Sequence, residues 1–247
     1  MDAEISESIG SLVLSAYRKS VNTYMSKHNG QRLHTWHVSD FTSPCIRKTY
    51  YQRLYPEKYD AKKNSIFFLG NIIHEHTPLS KINELTMCYD IETDQPVSID
   101  EVLLMPRNSL KTIITGTLDD LLQYGNDFII ADKKTFNGSS GYKKTSPDSQ
   151  YSLQLSIYRV LLQKNYGIDA KYGCLLYLDK SNDLAESPIP FELLPIEDTK
   201  VIMKEILVEL CSDKLPKPNV CWMCNGNNRK GAIYCPYVEL CKQDGGR

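Results

Sequence analysis

The sequence predicts an α/β domain, a sheet flanked by helices. Three observations carry this. Apolar residues recur at helical spacing near the N-terminus, at Ile9, Leu12, Val13, Ala16, Tyr17 and Tyr24. Two strand-like runs, Thr112 to Gln123 and Phe128 to Lys134, flank the hairpin signal Asn126-Asp127. A striped helix over 150–165 then leads into the apolar run Tyr172 to Leu178.

Taken in order, the first helix covers 2–28 and stops at Asn29-Gly30. Ser39-Asp40 can cap a second helix over 40–55, which carries Arg47, Tyr50, Tyr51 and Leu54 and stops before Pro56. Cys45 lies in its first turns, after Pro44. A third helix over 63–77 ends before Pro78, with Gly70, Ile73, His74 and Thr77 along one side. Val102 to Met105 reads as a short apolar strand. The strand at 112–123 is interrupted by Gly116, and 128–134 is its return strand. Residues 137–149, rich in Gly, Ser, Lys and Pro, read as a mobile loop. The helix at 150–165 has Leu153, Ile157, Val160 and Leu161 on its apolar side. The run 172–178 reads as a central strand, 191–194 as a short one and 197–212 as a helix. Pro216 and Pro218 mark a boundary. Residues 1–218 thus form one domain, mainly helical over 1–77 and with its sheet core over 100–215; 219–247 is a cysteine-rich tail, too short and polar to fold without a staple.

With 41% hydrophobic residues the 247-residue chain can build a core, which argues against disorder. No run of eighteen apolar residues appears, so no membrane span is expected. Asp2, Glu4 and Glu7 do not make a secretory signal, and the expected setting is the reducing cytoplasm. Net charge is −1, so nucleic-acid binding must use local patches rather than a global field. Arg47-Lys48 with Arg53, Lys62-Lys63, Lys133-Lys134, Lys143-Lys144 and Arg229-Lys230 are the candidate patches, though such a pair alone is more often a solvated face than a phosphate site.

Six polar residues set into apolar elements carry the chemistry: His74, Asp119, Asp132, Lys134, Gln154 and Tyr158. Strand side chains alternate with period two, so Asp132 and Lys134 share a face. An acid that holds a divalent cation beside an ammonium that orients water is what metal-dependent phosphodiester hydrolysis needs. Gly116 permits a bend or a close backbone approach, and Asp119 would project towards Asp132. Two such carboxylates repel unless a cation sits between them, and Mg²⁺ or Mn²⁺ fits oxygen donors. A surface cluster in which Lys134 neutralises Asp132 is the plain alternative. Gly70, one turn below His74, would let the helix approach the sheet and bring the imidazole to the site; a nitrogen ligand tilts preference towards Mn²⁺. Glu75 is a weaker candidate on the same helix. Gln154 and Tyr158 share one face as an i, i+4 pair, with Gln150 and Tyr151 as a competing register.

The order Gly70-x-x-x-His74, Gly116-x-x-Asp119, Asp132-x-Lys134 and Gln154-x-x-x-Tyr158 resembles the RecB-type branch of the PD-(D/E)XK nucleases. The nearest likeness is to the CRISPR-associated iron–sulfur exonucleases and their phage and viral relatives. The stretch Cys45-Ile-Arg47-Lys48-Thr-Tyr50-Tyr51 is similar to the family's N-terminal motif, and the resemblance covers residues 36–241. It implies a restriction-endonuclease-like mixed sheet flanked by helices, with an N-terminal helical part and a C-terminal cysteine-bearing tail. It implies that His74, Asp119 and Asp132 hold the metal, that Lys134 activates water, and that Gln154 and Tyr158 contact DNA. Asp132 stands where the family more often has Glu.

Cys45, Cys221, Cys224, Cys235 and Cys241 are clustered at two ends of the chain, and without a secretion signal clustered thiols favour metal ligation over disulfides. The resemblance implies a [4Fe–4S] cluster held by Cys45, Cys235, Cys241 and Cys224, with Cys221 as alternate ligand. The ten-residue insert between Cys224 and Cys235 departs from the family's tighter spacing. A structural Zn²⁺ held by Cys221, Cys224, Cys235 and Cys241 is the rival reading. The expected function is a metal-dependent DNA nuclease, a single-stranded DNA exonuclease with an end-processing role. Arg47, Lys48, Lys143 and Lys144 are its expected backbone contacts. The alternative is a DNA-guiding subunit of an integration or recombination complex, active only with partners.

Overall fold

The computed structural model describes residues 12, 14–16, 18–21, 23–24, 34–56, 61–136, 144–219, 224 and 235–245. Along them run β1 (Trp36–His37), α1 (Val38–Phe41), α2 (Ile46–Leu54), α3 (Ala61–His76), β2 (Ile82–Asp90), β3 (Gln95–Val97) and α4 (Ile99–Leu104). A 3₁₀ turn (Arg107–Thr112) precedes β4 (Ile113–Tyr124), β5 (Asp127–Phe136), α5 (Ser149–Tyr166), β6 (Tyr172–Asp179), β7 (Ala185–Glu192), α6 (Ile196–Cys211) and α7 (Val238–Gln243). The chain divides into two units, Met1–Arg32 with Lys58–Thr77 and Leu33–Glu57 with Pro78–Arg247.

The first unit holds helical residues between Leu12 and Tyr24 and helix α3. Tyr24 OH donates to Glu75 Oε1 at 2.6 Å, and its ring meets Phe68 edge-on at 4.9 Å. Burial, and then that bond to Glu75, push the Tyr24 hydroxyl up to about 12. A methyl group added at Gly70 would meet no described atom within 4 Å.

The second unit is built on a seven-stranded mixed sheet in the order β3-β2-β4-β5-β6-β7, with β1 beside β4. The expected hairpin is β4–β5, antiparallel, with Gly125 supplying the left-handed conformation at φ +62° that its turn requires. The β5–β6 pair is parallel and therefore needs a crossover, which α5 provides. Leu155, Ile157, Val160, Leu161 and Leu162 of α5 have no exposed surface. Burying side chains of this size contributes on the order of 1.5–3 kcal/mol each. They anchor α5, and with it Gln154 and Tyr158, in the core that also takes Met87, Tyr89, Leu118, Ile130 and Leu175.

Strand β4 changes partner along its length. Its second half pairs with β5 from Tyr124↔Asp127 to Asp120↔Ala131. Its first half takes β1 in parallel, Trp36↔Ile114 and His37↔Thr115, while β5 continues beside β6 to Phe136↔Asp179. The sheet therefore forks where the β4–β5 ladder ends, at Asp119 and Asp132.

Several elements differ from expectation. Val102 to Met105 lies in helix α4 and its C-cap rather than a strand, because Ser98 and Glu101 form a reciprocal capping box. Strand β4 is continuous through Gly116. Cys45 is the N-cap residue of α2, and His37 with Asp40 caps the preceding short helix. Strand β7 is longer than 191–194 and carries Pro188 and Pro190, which an end strand of the sheet tolerates. Strand β2, unforeseen, lies antiparallel to β4.

The turn between β2 and β3 is pinned to the helices by Asp94. Its carboxylate accepts from Tyr89 OH at 2.6 Å, from Lys164 Nζ at 2.8 Å and from Lys200 Nζ at 3.1 Å. The chain after α6 is tied to α2. Arg47 Nε donates to Pro216 O at 2.6 Å, Asn219 Nδ2 to Pro44 O at 2.9 Å, Tyr51 OH to Asp244 Oδ2 at 2.6 Å and Tyr237 OH to Tyr55 O at 2.7 Å. Among the described residues no helix is long and apolar enough to cross a membrane.

Candidate functional site

Asp132 and Lys134 meet as their spacing on β5 predicts. Lys134 Nζ donates to Asp132 Oδ1 at 3.0 Å, while Oδ2 stands 2.7 Å from the same nitrogen as an ion pair without a directed hydrogen bond. The Asp132 side chain is 3% exposed and that of Lys134 19%. A surface ion pair is therefore excluded: the carboxylate is inside the fold. Burial pushes the Asp132 carboxyl up, Lys134 pulls it down and Asp119 raises it again, leaving it at about 7. Burial alone would lower the Lys134 ammonium, but Asp132 outweighs it and raises it.

Asp119 occupies the fork. Its Oδ2 accepts from the backbone N–H of Lys133 at 3.3 Å, where a ladder bond would otherwise form. Gly116 serves a close approach: a Cβ there would stand 2.5 Å from Val38 Cγ2 and 2.8 Å from Tyr158 Cε1. The glycine thus lets α5 lay Tyr158 against β4. Gln154 Nε2 donates to Tyr158 OH at 3.4 Å. Burial raises the Tyr158 hydroxyl; the Gln154 bond lowers it, and the charges of Asp132, Asp119 and Glu84 raise it further. Tyr158 is only 3% exposed.

One residue of this site belongs to the competing register of the sequence reading, and another escaped that reading. Tyr151, from the register set aside, lies under Lys134, with the ammonium 4.8 Å from the ring centroid. Glu84 lies on β2 between the pairs Asn83↔Asp120 and Leu85↔Leu118, hence opposite Asp119. A carboxylate oxygen of Glu84 lies within 4.8 Å of one of Asp119. No sequence signal marked Glu84, since its strand was not foreseen.

The donors fit a hard divalent cation. They are carboxylate oxygens, and the buried Asp132 Oδ2 has no hydrogen-bond donor among the described residues. His74, the third expected ligand, lies on α3 in the first unit, half-buried.

The expected DNA contacts divide differently. Arg47 must be corrected: it is 5% exposed, spends its guanidinium on Pro216 O and Cys241 Sγ, and so cannot reach a phosphate. Arg53 stacks on Trp36 at 3.8 Å and donates to His34 O. Lys48 is half-buried beside Cys235. Lys144 pairs with Asp148 at 2.8 Å and lies over Tyr177. Lys143, Arg229, Lys230 and Cys221 lie outside the described residues, as do the side chains of Lys62 and Lys63. An open cleft of about 930 Å³ holds none of this chemistry; Phe41, Pro44, Leu153 and Ile206 line it with Asp148, Glu209 and Lys217.

Cys45 and Cys241 lie at the joint where the chain after α6 meets α2. Cys45 is buried, and Cys235 feels the charges of Cys224 and Cys45. Burial is the main cause that raises the Cys235 thiol. Cys241, on α7, accepts from Arg47 Nη1 at 3.5 Å.

No family model matches the sequence. No curated protein matches it. Among solved structures, that of SSO0001 is similar with a TM-score of 0.57 at 19% identity, over 94% of this chain and 97% of that one. The likeness is one of fold: this chain is a mixed α/β protein whose seven-stranded sheet is flanked by helices.

Proposed function

We propose that this chain is a metal-dependent nuclease that hydrolyses DNA phosphodiester bonds, with single-stranded ends as its preferred substrate. The observation that carries the reading is the buried Asp132, ion-paired to Lys134 at a fork of the sheet that also holds Asp119. A fold does not bury a carboxylate beside a second one for stability alone, because desolvation and mutual repulsion both cost free energy. The restriction-endonuclease-like version of the fold belongs to the same proposal.

Asp119 and Asp132 would hold Mg²⁺ or Mn²⁺, with His74 as the further ligand that the sequence resemblance implies. When bound, such an ion supplies Lewis acidity and a lowered pKa for water. Lys134 orients the attacking water and offsets charge on the phosphate; Tyr151 and Asp132 fix its ammonium. Gln154 holds the Tyr158 hydroxyl, and Tyr158 in turn backs the carboxylates. Cys45, Cys224, Cys235 and Cys241 would hold a [4Fe–4S] cluster that staples the tail to α2, with a structural Zn²⁺ as the alternative.

The test is cleavage of end-labelled single-stranded DNA with Mg²⁺ or Mn²⁺, beside Asp132→Asn and Lys134→Ala. Metal-dependent cleavage lost in both variants is expected. Cleavage that survives Asp132→Asn sinks the assignment. A wild type that binds DNA and cuts only with added partner proteins would favour the guiding-subunit reading.

A further inference from the structure

Lysine is a point charge on a flexible four-carbon stem, so an ammonium that must orient a water has to be held from more than one side. Asp132 holds Lys134 from along β5, at 3.0 Å. The other side is aromatic. Tyr177 is the β6 partner of Lys134 in the parallel ladder, so the two side chains stand side by side on one face of the sheet. Phe136, two residues beyond Lys134, shares that face. Across it lies the first turn of α5, where the Tyr151 ring centroid is 4.8 Å from the ammonium.

The three rings pack as one group. Tyr177 meets Phe136 edge-on at 6.0 Å and Tyr151 at 6.5 Å, both within the range at which aromatic pairs attract. Tyr177 is 1% exposed, and Asp148 fixes its hydroxyl twice. The hydroxyl accepts from the Asp148 backbone N–H and donates to Asp148 Oδ2, each at 3.1 Å. Asp148 is also the N-cap residue of α5, and its carbonyl accepts from the Tyr151 N–H at 2.9 Å. One aspartate thus ties the strand that carries Tyr177 to the helical turn that carries Tyr151. A ring face attracts a cation through its quadrupole and adds no negative charge. A second carboxylate in its place would compete with Asp132 for the ammonium and repel a phosphate.

We propose that Tyr151 and Tyr177 are positioning residues for the reaction: the Tyr151 ring seats the Lys134 ammonium, and Tyr177, locked by Asp148, holds that ring in place. The inference rests on the nuclease reading for the use of Lys134 and goes beyond it in what aims that lysine. The Tyr151 ring does the work rather than its hydroxyl, and it serves turnover rather than DNA binding.

The experiment records the Lys134 ε-methylene protons by NMR of the full chain carrying isotope-labelled lysine, with Lys134→Ala to assign the signal and far-UV circular dichroism to check folding. Protons above a ring face are shifted upfield. That shift is expected in wild type and in Tyr151→Phe, absent in Tyr151→Leu, and reduced in Tyr177→Phe, which keeps the ring but cuts its lock to Asp148. Steady-state cleavage of single-stranded DNA with Mn²⁺ is measured alongside. Tyr151→Leu is expected to lose turnover on the order of ten- to hundredfold with little change in KM, and Tyr151→Phe to restore most of that loss. A Lys134 signal unshifted in wild type, or still shifted in Tyr151→Leu, overturns the seat. A shift that Tyr177→Phe leaves whole overturns the lock. Equal losses in Tyr151→Phe and Tyr151→Leu assign the effect to the hydroxyl and overturn the proposal. A wild type that shows the shift but cuts no DNA overturns the nuclease reading and leaves the seat of Lys134 standing.

Discussion

Lys133 Nζ stands 2.8 Å from Asp120 Oδ2, with the two side chains 2% and 0% exposed. The other oxygen of Asp120 accepts from the backbone N–H groups of Leu79, at 2.7 Å, and Ser80, at 3.1 Å. These two residues alternate with Asp119 and Asp132 along the same strands. The Lys133–Asp120 charges are fully paired. Removing one partner of a sealed ion pair strands the other, which costs about 3–5 kcal/mol. Asp120→Ala is expected to lose that much in urea unfolding. A loss below about 1 kcal/mol, the scale of an exposed pair, would show that the pair is not sealed in solution.

Gly116→Ala places a methyl group 2.5 Å from Val38 and 2.8 Å from Tyr158. Overpacking of this kind costs about 1–3 kcal/mol. The ring of Tyr158 must move, so metal affinity is expected to fall along with the melting temperature. Gly125→Ala, in open space but at φ +62°, is expected to lose stability alone. Melting curves with and without Mn²⁺ separate the two.

Asp94 governs an acid limb of stability. Burial would raise its carboxyl, but hydrogen bonds from Lys164, Tyr89 and Lys200 outweigh that and hold it well below the ordinary carboxylate range. A folded-state pKa below the unfolded value of about 3.9 means the unfolded chain binds the proton more readily. The contribution is therefore fully present above that unfolded value and is lost as pH falls through the folded one. Asp94 is 41% exposed, so solvent screening keeps each pair modest. Asp94→Asn should flatten the fall in chemical stability below pH ~4, measured by urea titration. An unchanged acid limb would remove Asp94 from the account.

The cysteine joint predicts a colour. Anaerobically purified protein is expected to be brown, and Cys45→Ala to bleach it. A colourless wild type with stoichiometric zinc, unaffected by Cys45→Ala, would establish the zinc site instead.

The Asp132–Lys134 pair was legible because period two is local physics: two residues on one strand must share a face. Gly116 was legible as a special position, though it serves a close approach rather than a break. Glu84 was not legible, because strand partners far apart in sequence leave no periodic trace, and the polar first half of β2 hid the strand itself. The capping box at Ser98 and Glu101 was readable and would have replaced the short strand expected at Val102 by a helix. Arg47 misled because a basic dipeptide looks the same whether its guanidinium meets phosphate or a carbonyl 169 residues away.

That last separation sets an order of events. Arg47 waits for Pro216 and Tyr51 for Asp244, the latter 193 residues downstream. A ribosome adding about 5–20 residues per second takes roughly 10–30 s to supply Pro216. Through that interval helix α2 lacks its contacts with Pro216 and Asp244. The tie between α2 and the later chain is thus made only after Pro216 and Asp244 have been synthesised, well after α2 itself.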